Sequence, residues 1–267
     1  MSEGFLDLPY LGDIVVRYIS ITILCSLRFM VISIMFPPIA ESGLTGIARN
    51  GVVTLLSIYV AYGQPMHLLQ ALDVTQLAAV AVREALLGLL LGFAASSVFW
   101  VAEGAGTYLD NLTGYNNVQL TNPLQEQSTP TGTLFKQIAI AFFWSLGGMT
   151  FLLQALYESY KWWPVSSSGP IPTNIMQSFL LTQSDSIMQA TAKLALPMVF
   201  VLILIDVAFG FIAKSGDKLE FGALSQPIKG ATMVLMLALL AGLFVDQTRP
   251  QLTLIGLATE FRHLMHR

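Results

Sequence analysis

Charged residues are scarce in this chain. Only 11% of its 267 residues are Asp, Glu, Lys or Arg, whereas 54% are hydrophobic. A soluble domain carries roughly 25% charged residues to cover its surface. The shortage therefore favours a chain surrounded by lipid or by other protein. The net charge of −3 and the lack of a basic tract argue against nucleic acid as a partner.

Cysteine is almost absent. Cys25 is the only cysteine and lies within an apolar run, which excludes an internal disulfide framework and any multi-cysteine metal site. Glu3, Asp7 and Asp13 precede the first basic residue, and this is the reverse of the charge order in a secretory signal. No Ala-x-Ala cleavage site follows the first apolar segment, so we expect that segment to be retained.

Catalytic signatures are missing as well. No Walker A, HExxH, GxSxG or GxGxxG pattern occurs. Glu260 and His263 match half of a di-iron ligand pair, but such a site needs a second copy and glutamates from facing helices. No nucleophile is placed beside a base by its sequence position. We therefore predict a chain that is not an enzyme and that holds no cofactor and no metal.

Long apolar runs are what the sequence does contain. A membrane-spanning helix needs about 20 mostly apolar residues. Four segments reach that length and two are marginal; they are, in that order, 14–34, 77–101, 138–157 and 187–212, then 51–62 and 231–245. Alternation with a period of two residues is absent. The prediction is an all-α, multi-helix integral membrane protein with four to six membrane helices.

Several charged residues interrupt the apolar segments. Arg17 and Arg28 are eleven residues apart, which places them within about 20° on one helical face. The other charges of this kind are Arg83, Glu84, Lys193 and Asp206. Each costs roughly 2.5–3.5 kcal/mol at a bilayer centre, so such residues tend to face protein or water. Two interpretations stay open: ion pairs between helices, or a water-filled conduit lined by these groups.

Small residues and polar stretches complete the pattern. Gly88, Gly92 and Ser96 recur every four residues and would let a second helix approach closely. Residues 102–133 are polar and rich in glycine, and we predict a long loop there, a kind of segment that is usually functional or disordered. A cluster of basic residues favours a cytoplasmic position for the last hairpin loop. The cluster consists of Lys214, Lys218 and Lys229.

Four stretches of the chain resemble the SctT/FliR family of type III secretion export-apparatus proteins. They are Arg83-Glu84 with Gly88 and Gly92, residues 102–110 with Gly114, residues 159–165, and residues 197–210 with 226–229. Their order and spacing cover nearly the whole chain. The stretch 158–164 replaces a Gly-His pair that is common in flagellar members, and it is typical of the injectisome branch. Asp206 stands where a glutamate is common in the family.

The resemblance implies a place in a larger assembly. One copy of such a subunit joins about five SctR-type and about four SctS-type subunits around a protein-conducting pore for unfolded effector and needle proteins. Residues 1 to about 185 would correspond to an SctR-like part, and residues 186–267 to an SctS-like helical hairpin with a polar tail. The implied location is the bacterial inner membrane, at the base of the injectisome. The implied partners also include an SctU-type switch protein, an SctV-type export gate protein, the secreted polypeptides and membrane lipid.

The resemblance also assigns roles to particular residues. The polar loop, over about 102–133, would be a luminal plug that closes the pore at rest. Its expected gating residues are Gly104, Gly106, Tyr108, Asp110, Asn111 and Gly114. The loop from Lys214 to Lys229 would be the hairpin tip that meets the switch protein. The alternative function is a secondary membrane transporter for a small solute, which the absence of two matching halves disfavours.

Overall fold

The fold is helical. The structure is a computed structural model, and it describes residues 8–41, 46–64, 73–114, 129–166, 173–215 and 225–236. These residues contain no strand, which confirms the all-α prediction. The helices in this part of the chain are α1 (Leu8–Met35), α2 (Pro37–Ala40), α3 (Gly46–Tyr62), α4 (Val74–Thr113), α5 (Pro130–Ser145), α6 (Gly148–Trp162) and α7 (Thr173–Ser215). Residues 225–236 are helical as well.

Three of these helices are long and apolar enough to cross a membrane. The candidate spans are Ile14–Met35, Val74–Thr113 and Met176–Lys214. A fourth is possible if α5 and α6 cross together, although they are bent by 77° at the short break between them. The segment predicted over 138–157 is therefore not one continuous helix. Gly147 takes a φ of +69°, which turns the chain between the two helices.

The predicted loop over 102–133 is wrong at both of its ends. α4 continues through Thr113 because Ala102, Ala105 and Leu109 recur at helical spacing and are fully buried, which extends the apolar face past the glycines. At the other end, α5 begins at Pro130, where a missing N–H costs nothing. The residues between 114 and 129 lie outside the described part of the chain.

The chain divides into two compact units. The described residues of the first fall within Met1–Ser96 and Thr150–Leu180, and those of the second fall within Ser97–Met149 and Leu181–Gly256. Fully buried side chains in the first unit include Ile21, Phe29, Ile32, Phe36 and Leu87. In the second unit, the buried rings of Phe99 and Phe143 meet edge to face, with centroids 5.8 Å apart. The predicted division near residue 185 falls within the continuous α7, and it stays a prediction.

Candidate functional site

Asp110 joins the end of α4 to the start of α5 in the second unit. Its side chain is fully buried. One carboxylate oxygen accepts a hydrogen bond from the backbone N–H of Thr131 at 2.7 Å, and the other accepts from the Thr131 hydroxyl at 2.6 Å. Thr131 lies in the first turn of α5, where backbone N–H groups have no partner within the helix and where the helix dipole favours negative charge. Asp110 therefore caps α5 from a neighbouring helix.

Two glycines bring the backbones of these helices into contact. A Cβ atom on Gly106 would lie 2.6 Å from the carbonyl oxygen of Thr131 and 2.7 Å from the Cα of Gly132. A Cβ atom on Gly132 would lie 2.6 Å from the Thr107 hydroxyl oxygen and 2.9 Å from the carbonyl oxygen of Glu103. Any larger residue at either position would push the helices apart. The close approach therefore requires glycine on both sides.

Further polar contacts flank the glycine pair. The buried ammonium group of Lys136 lies 2.9 Å from the carboxylate of Glu103. The Thr129 hydroxyl donates to the Thr107 hydroxyl at 3.2 Å, and it also accepts from the backbone N–H of Gly132 as the N-cap of α5. We call this set the α4–α5 clasp; it comprises Glu103, Gly106, Thr107 and Asp110 with Thr129, Thr131, Gly132 and Lys136. A hydrogen bond to a charged group contributes about 1.5–3 kcal/mol, so the clasp is a firm joint.

The predicted gating residues are distributed over different faces of α4. Gly106 and Asp110 belong to the clasp. Tyr108 and Asn111 lie on another face, and both are exposed. Gly104 faces α7, since a Cβ atom there would lie 3.5 Å from the Thr191 methyl group. The structure thus brings only two of the six predicted residues together.

The sixth predicted gating residue, Gly114, directly follows α4. Its φ of +80° is the left-handed conformation that commonly follows a helix. The side-chain amide of Gln226 packs against it, because a Cβ atom on Gly114 would lie 2.8 Å from the Gln226 nitrogen. Nearby, the Lys229 ammonium group donates to the Leu112 carbonyl oxygen at 3.2 Å. Residues 225–236 therefore hold the last turn of α4.

Lys229 also forms an ion pair with Asp206 of α7. This lysine is buried and lies within a helix, so its prediction as a residue of the last hairpin loop is wrong. Lys214 is helical too, near the end of α7, and it is exposed. Both helices extend beyond the predicted apolar segments, since α7 continues to Ser215 and the helical stretch 225–236 begins before residue 231. Lys218 lies outside the described residues.

Arg28 is the centre of a buried network in the first unit. Its guanidinium group is fully buried and pairs with the Glu84 carboxylate at 2.8 Å. The same group donates to the Ser159 hydroxyl at 2.7 Å and to the Trp163 carbonyl oxygen at 3.0 Å. It also stacks over the Tyr160 ring at 4.0 Å from the ring centroid, a favourable cation–π geometry. Arg28 thus joins α1, α4 and α6.

Arg83 extends this network past the end of α6. One of its terminal nitrogens donates to the Glu84 carboxylate at 3.2 Å and to the carbonyl oxygens of Pro164 and Val165 at 3.2 and 3.0 Å. Both arginines thus pair with the carboxylate of Glu84. They lie beside the C-terminal end of α6, where the helix dipole favours cations. Backbone carbonyl groups that follow α6 supply further acceptors to the network.

The stripe of small residues on α4 packs against α1. A Cβ atom on Gly88 would lie 2.5 Å from the Arg28 carbonyl oxygen and 3.0 Å from its Cα, so the two backbones nearly touch. Gly92 is less crowded, because its Cβ atom would meet α1 at an ordinary distance of 3.4 Å. The Ser96 hydroxyl donates to the Met35 carbonyl oxygen at 3.1 Å. This close packing brings Glu84 within reach of Arg28.

The remaining predicted charges lie outside both clusters. Arg17 is partly exposed on α1, and Lys193 is exposed on α7. Sequence reasoning missed Thr131 and Lys136, although the Thr129-Pro130 pair is a helix-start signal that could have placed both in the first turns of α5. No group of three or more potential metal ligands occurs among the described residues.

Known proteins are similar in sequence to this chain over most of its length. The family described as "Bacterial export proteins, family 1" matches residues 19–254. The "Yop proteins translocation protein T" of Yersinia pestis is 33% identical over 231 residues, which are 86% of this chain and 88% of the relative. The "Secretion system apparatus protein SsaT" of Salmonella typhimurium is 30% identical over 206 residues, 75% of this chain and 79% of the relative.

Flagellar proteins are similar to this chain as well, at lower identity. The "Flagellar biosynthetic protein FliR" of Bacillus subtilis is 26% identical over 160 residues, which are 59% of this chain and 62% of the relative. The family match and the two secretion relatives agree with the apolar helices in indicating a membrane component of a protein-export machine. The chain belongs to the SctT/FliR family of type III secretion export-apparatus proteins.

Proposed function

We propose that this chain is a non-enzymatic subunit of a type III secretion export gate in the bacterial inner membrane, at the base of an injectisome. With about five SctR-type and about four SctS-type subunits it forms a pore for unfolded effector and needle proteins. The relatives support this proposal, since their names describe translocation and a secretion-system apparatus. The main structural observation in support of the proposal is the exposed apolar surface of α7.

Only 17% of the most apolar stretch of α7 is buried within the chain. Its side chains Phe200 and Phe211 are 63% and 69% exposed. The same helix presents Lys193, which is exposed and has no ion-pair partner among the described residues. Asp206 keeps about half of its side chain exposed although it pairs with Lys229. An isolated chain would present these charges to lipid at a considerable cost, and neighbouring subunits remove that cost.

The end of α4 is the gating element in this proposal. The clasp and Lys229 fix two sides of its last turns, and Tyr108 and Asn111 remain exposed on a third side. Tyr108 is 54% exposed, and a half-exposed aromatic ring on a rigid helix end suits the closure of a narrow pore. At rest this face blocks the passage. During transport it is displaced by the polypeptide.

The other proposed contacts follow the distribution of charge. Lys214 is exposed near the end of α7, and it would contact the SctU-type switch protein on the cytoplasmic side. An SctV-type protein would complete the gate. The proposed division into an SctR-like part, to about residue 185, and an SctS-like part beyond it remains part of this proposal.

Copurification tests the assembly. The chain should be unstable alone and should be recovered with SctR- and SctS-type partners, with a native mass that corresponds to one copy per complex. A control purification without the partners should give little folded chain. A stable monomer that binds and moves a small solute would contradict the proposal and favour the transporter alternative.

Ion conductance tests the gating element separately. Deletion of residues 112–119 should raise the ion leakage of the assembled gate in planar bilayers. Tyr108→Ala should raise it as well, because the exposed ring is removed while the clasp stays intact. Unchanged conductance in both variants, in complexes of normal composition, would contradict a gating role for this end of α4.

A further inference from the structure

The α4–α5 clasp bears on how the gate moves. We propose that the clasp stays closed throughout transport, so that the end of α4 and the start of α5 move as one rigid body. This inference rests on the proposed function, since it concerns the motion of an export gate. The clasp is then the part of the gate that does not open. Three features of the clasp support this inference.

The first feature is the burial of Asp110. Its side chain is 0% exposed, and both carboxylate oxygens are occupied by donors from Thr131. Separation of the helices would leave a buried carboxylate without a partner. It would also leave the backbone N–H of Thr131 unsatisfied. A buried charge that loses its partner is strongly destabilising, so the open form of this joint is disfavoured.

The second feature is the direct contact between Gly106 and Gly132. The atoms that would crowd a Cβ on Gly106 are backbone atoms of Thr131 and Gly132, at 2.6–2.7 Å. No long side chain lies between the backbones to adapt to a small movement. Close-packed contacts of this kind have discrete arrangements and do not stretch continuously. The joint is thus either closed or broken.

The third feature is the length of the contact. Polar or ionic contacts occur at Glu103, at Thr107 and at Asp110, so the clasp covers two turns of α4. Their partners are Lys136, the N-cap residue Thr129 and Thr131, in that order, so the contact extends from the N-cap into the second turn of α5. A hinge is a place with few buried contacts. The clasp has the opposite character and suits a part that transmits motion without bending.

A disulfide across the clasp tests the inference. The Thr107 and Thr129 hydroxyl oxygens are 3.2 Å apart, so cysteines at both positions place their sulfur atoms within reach of a bond. The native background is favourable, because Cys25 is the only cysteine of the chain and is buried. The double variant T107C/T129C is expressed in the assembled complex. Its oxidised fraction is measured by a thiol-reactive mass tag, and export of a native substrate is measured in the same cells.

We expect the oxidised double variant to export as much as the same variant after reduction. Loss of export on oxidation, with recovery on reduction, would overturn the inference because it would mean that the helices must separate. Failure of the cysteines to form the bond at all would overturn it too, since the clasp would not exist. The single variants T107C and T129C, treated in the same way, correct for any other effect of the oxidant.

A charge exchange provides a second, independent test. Glu103→Lys or Lys136→Glu alone should lower the yield of assembled complex, and the double exchange should restore it because the ion pair is rebuilt. Independent effects of the two changes, with no restoration, would overturn the inference. Failure of the proposed function gives a different result: export would then persist in cells that lack the whole chain.

Discussion

Arg28 and Glu84 form an ion pair in which both side chains are 0% exposed. They are 56 residues apart in sequence, and they join α1 to α4. Replacing such a pair by apolar residues can be neutral, but removing one member leaves a buried charge uncompensated. In this network the glutamate serves Arg83 as well. We therefore expect substitutions of Glu84 to be strongly destabilising.

Glu84→Gln should destabilise the chain by about 3–5 kcal/mol, because two buried arginines would lose the carboxylate that they share. The measurement is the yield of assembled complex and its midpoint of thermal unfolding in detergent. Glu158→Gln is the matched control, since the contact of Glu158 within the described part of the chain is an exposed one with Gln154 on α6. Equal yields for the two variants would contradict the central role of Glu84.

The two glycines of the α4 stripe should respond differently to alanine. Gly88→Ala places a methyl group 2.5 Å from a backbone oxygen of α1, and we expect a cost of about 1–3 kcal/mol from overpacking. Gly92→Ala meets α1 at 3.4 Å and should change stability little. Thermal unfolding of the two variants gives the comparison. A larger loss at Gly92 than at Gly88 would show that the α1–α4 contact is placed differently.

Alanine substitutions at Gly106 and Gly104 compare the clasp with a neighbouring face of α4. Gly106→Ala should disturb the approach of α5 and lower both assembly and export, because its methyl group would meet backbone atoms at 2.6–2.7 Å. Gly104→Ala should be tolerated, since its nearest neighbour is a methyl group at 3.5 Å. Export assays on cells with equal amounts of each variant decide the matter. Equal export by both variants would argue against the backbone contact.

The effect of substituting Lys229 should depend on the charge of its ion-pair partner, Asp206. Lys229→Met removes the donor to the Leu112 carbonyl group and leaves Asp206 without its counter-ion, so we expect a lower yield of assembled complex. Adding Asp206→Asn should recover part of the yield, because no unpaired charge remains. Lys161→Met, at an exposed position of α6, serves as the control. No recovery in the double variant would indicate that the two residues act independently.

The helical class and the approximate membrane segments follow from the sequence because long apolar runs have few other solutions. The end of α4 does not follow. Residues 102–113 carry glycines and polar groups that are typical of loops, and the burial of Ala102, Ala105 and Leu109 in the folded chain favours a helix there. Glycine in such a stretch predicts a loop, whereas Gly106 serves close packing between helices.

The partners of the charged residues could not be predicted for a related reason. Periodicity places Arg17 and Arg28 near one face of a helix, but it gives no information on what that face meets. Arg28 is buried because α4 and α6 cover it, and its acceptors are 56, 131 and 135 residues away. Likewise, Lys229 has the sequence surroundings of a loop lysine, and its ion pair depends on the approach of α7.

The carbonyl acceptors that follow α6 have a further consequence. Arg28 and Arg83 bond to backbone oxygens of Trp163, Pro164 and Val165, and these oxygens persist whatever side chains occupy the three positions. The side chains at these three positions can change at little electrostatic cost. A change in the number of residues in α6 has a much larger effect. One inserted residue would rotate every following carbonyl by about 100° and carry the acceptors away from both cations. The electrostatics of the network therefore constrain the length of this segment more strongly than the identity of its side chains.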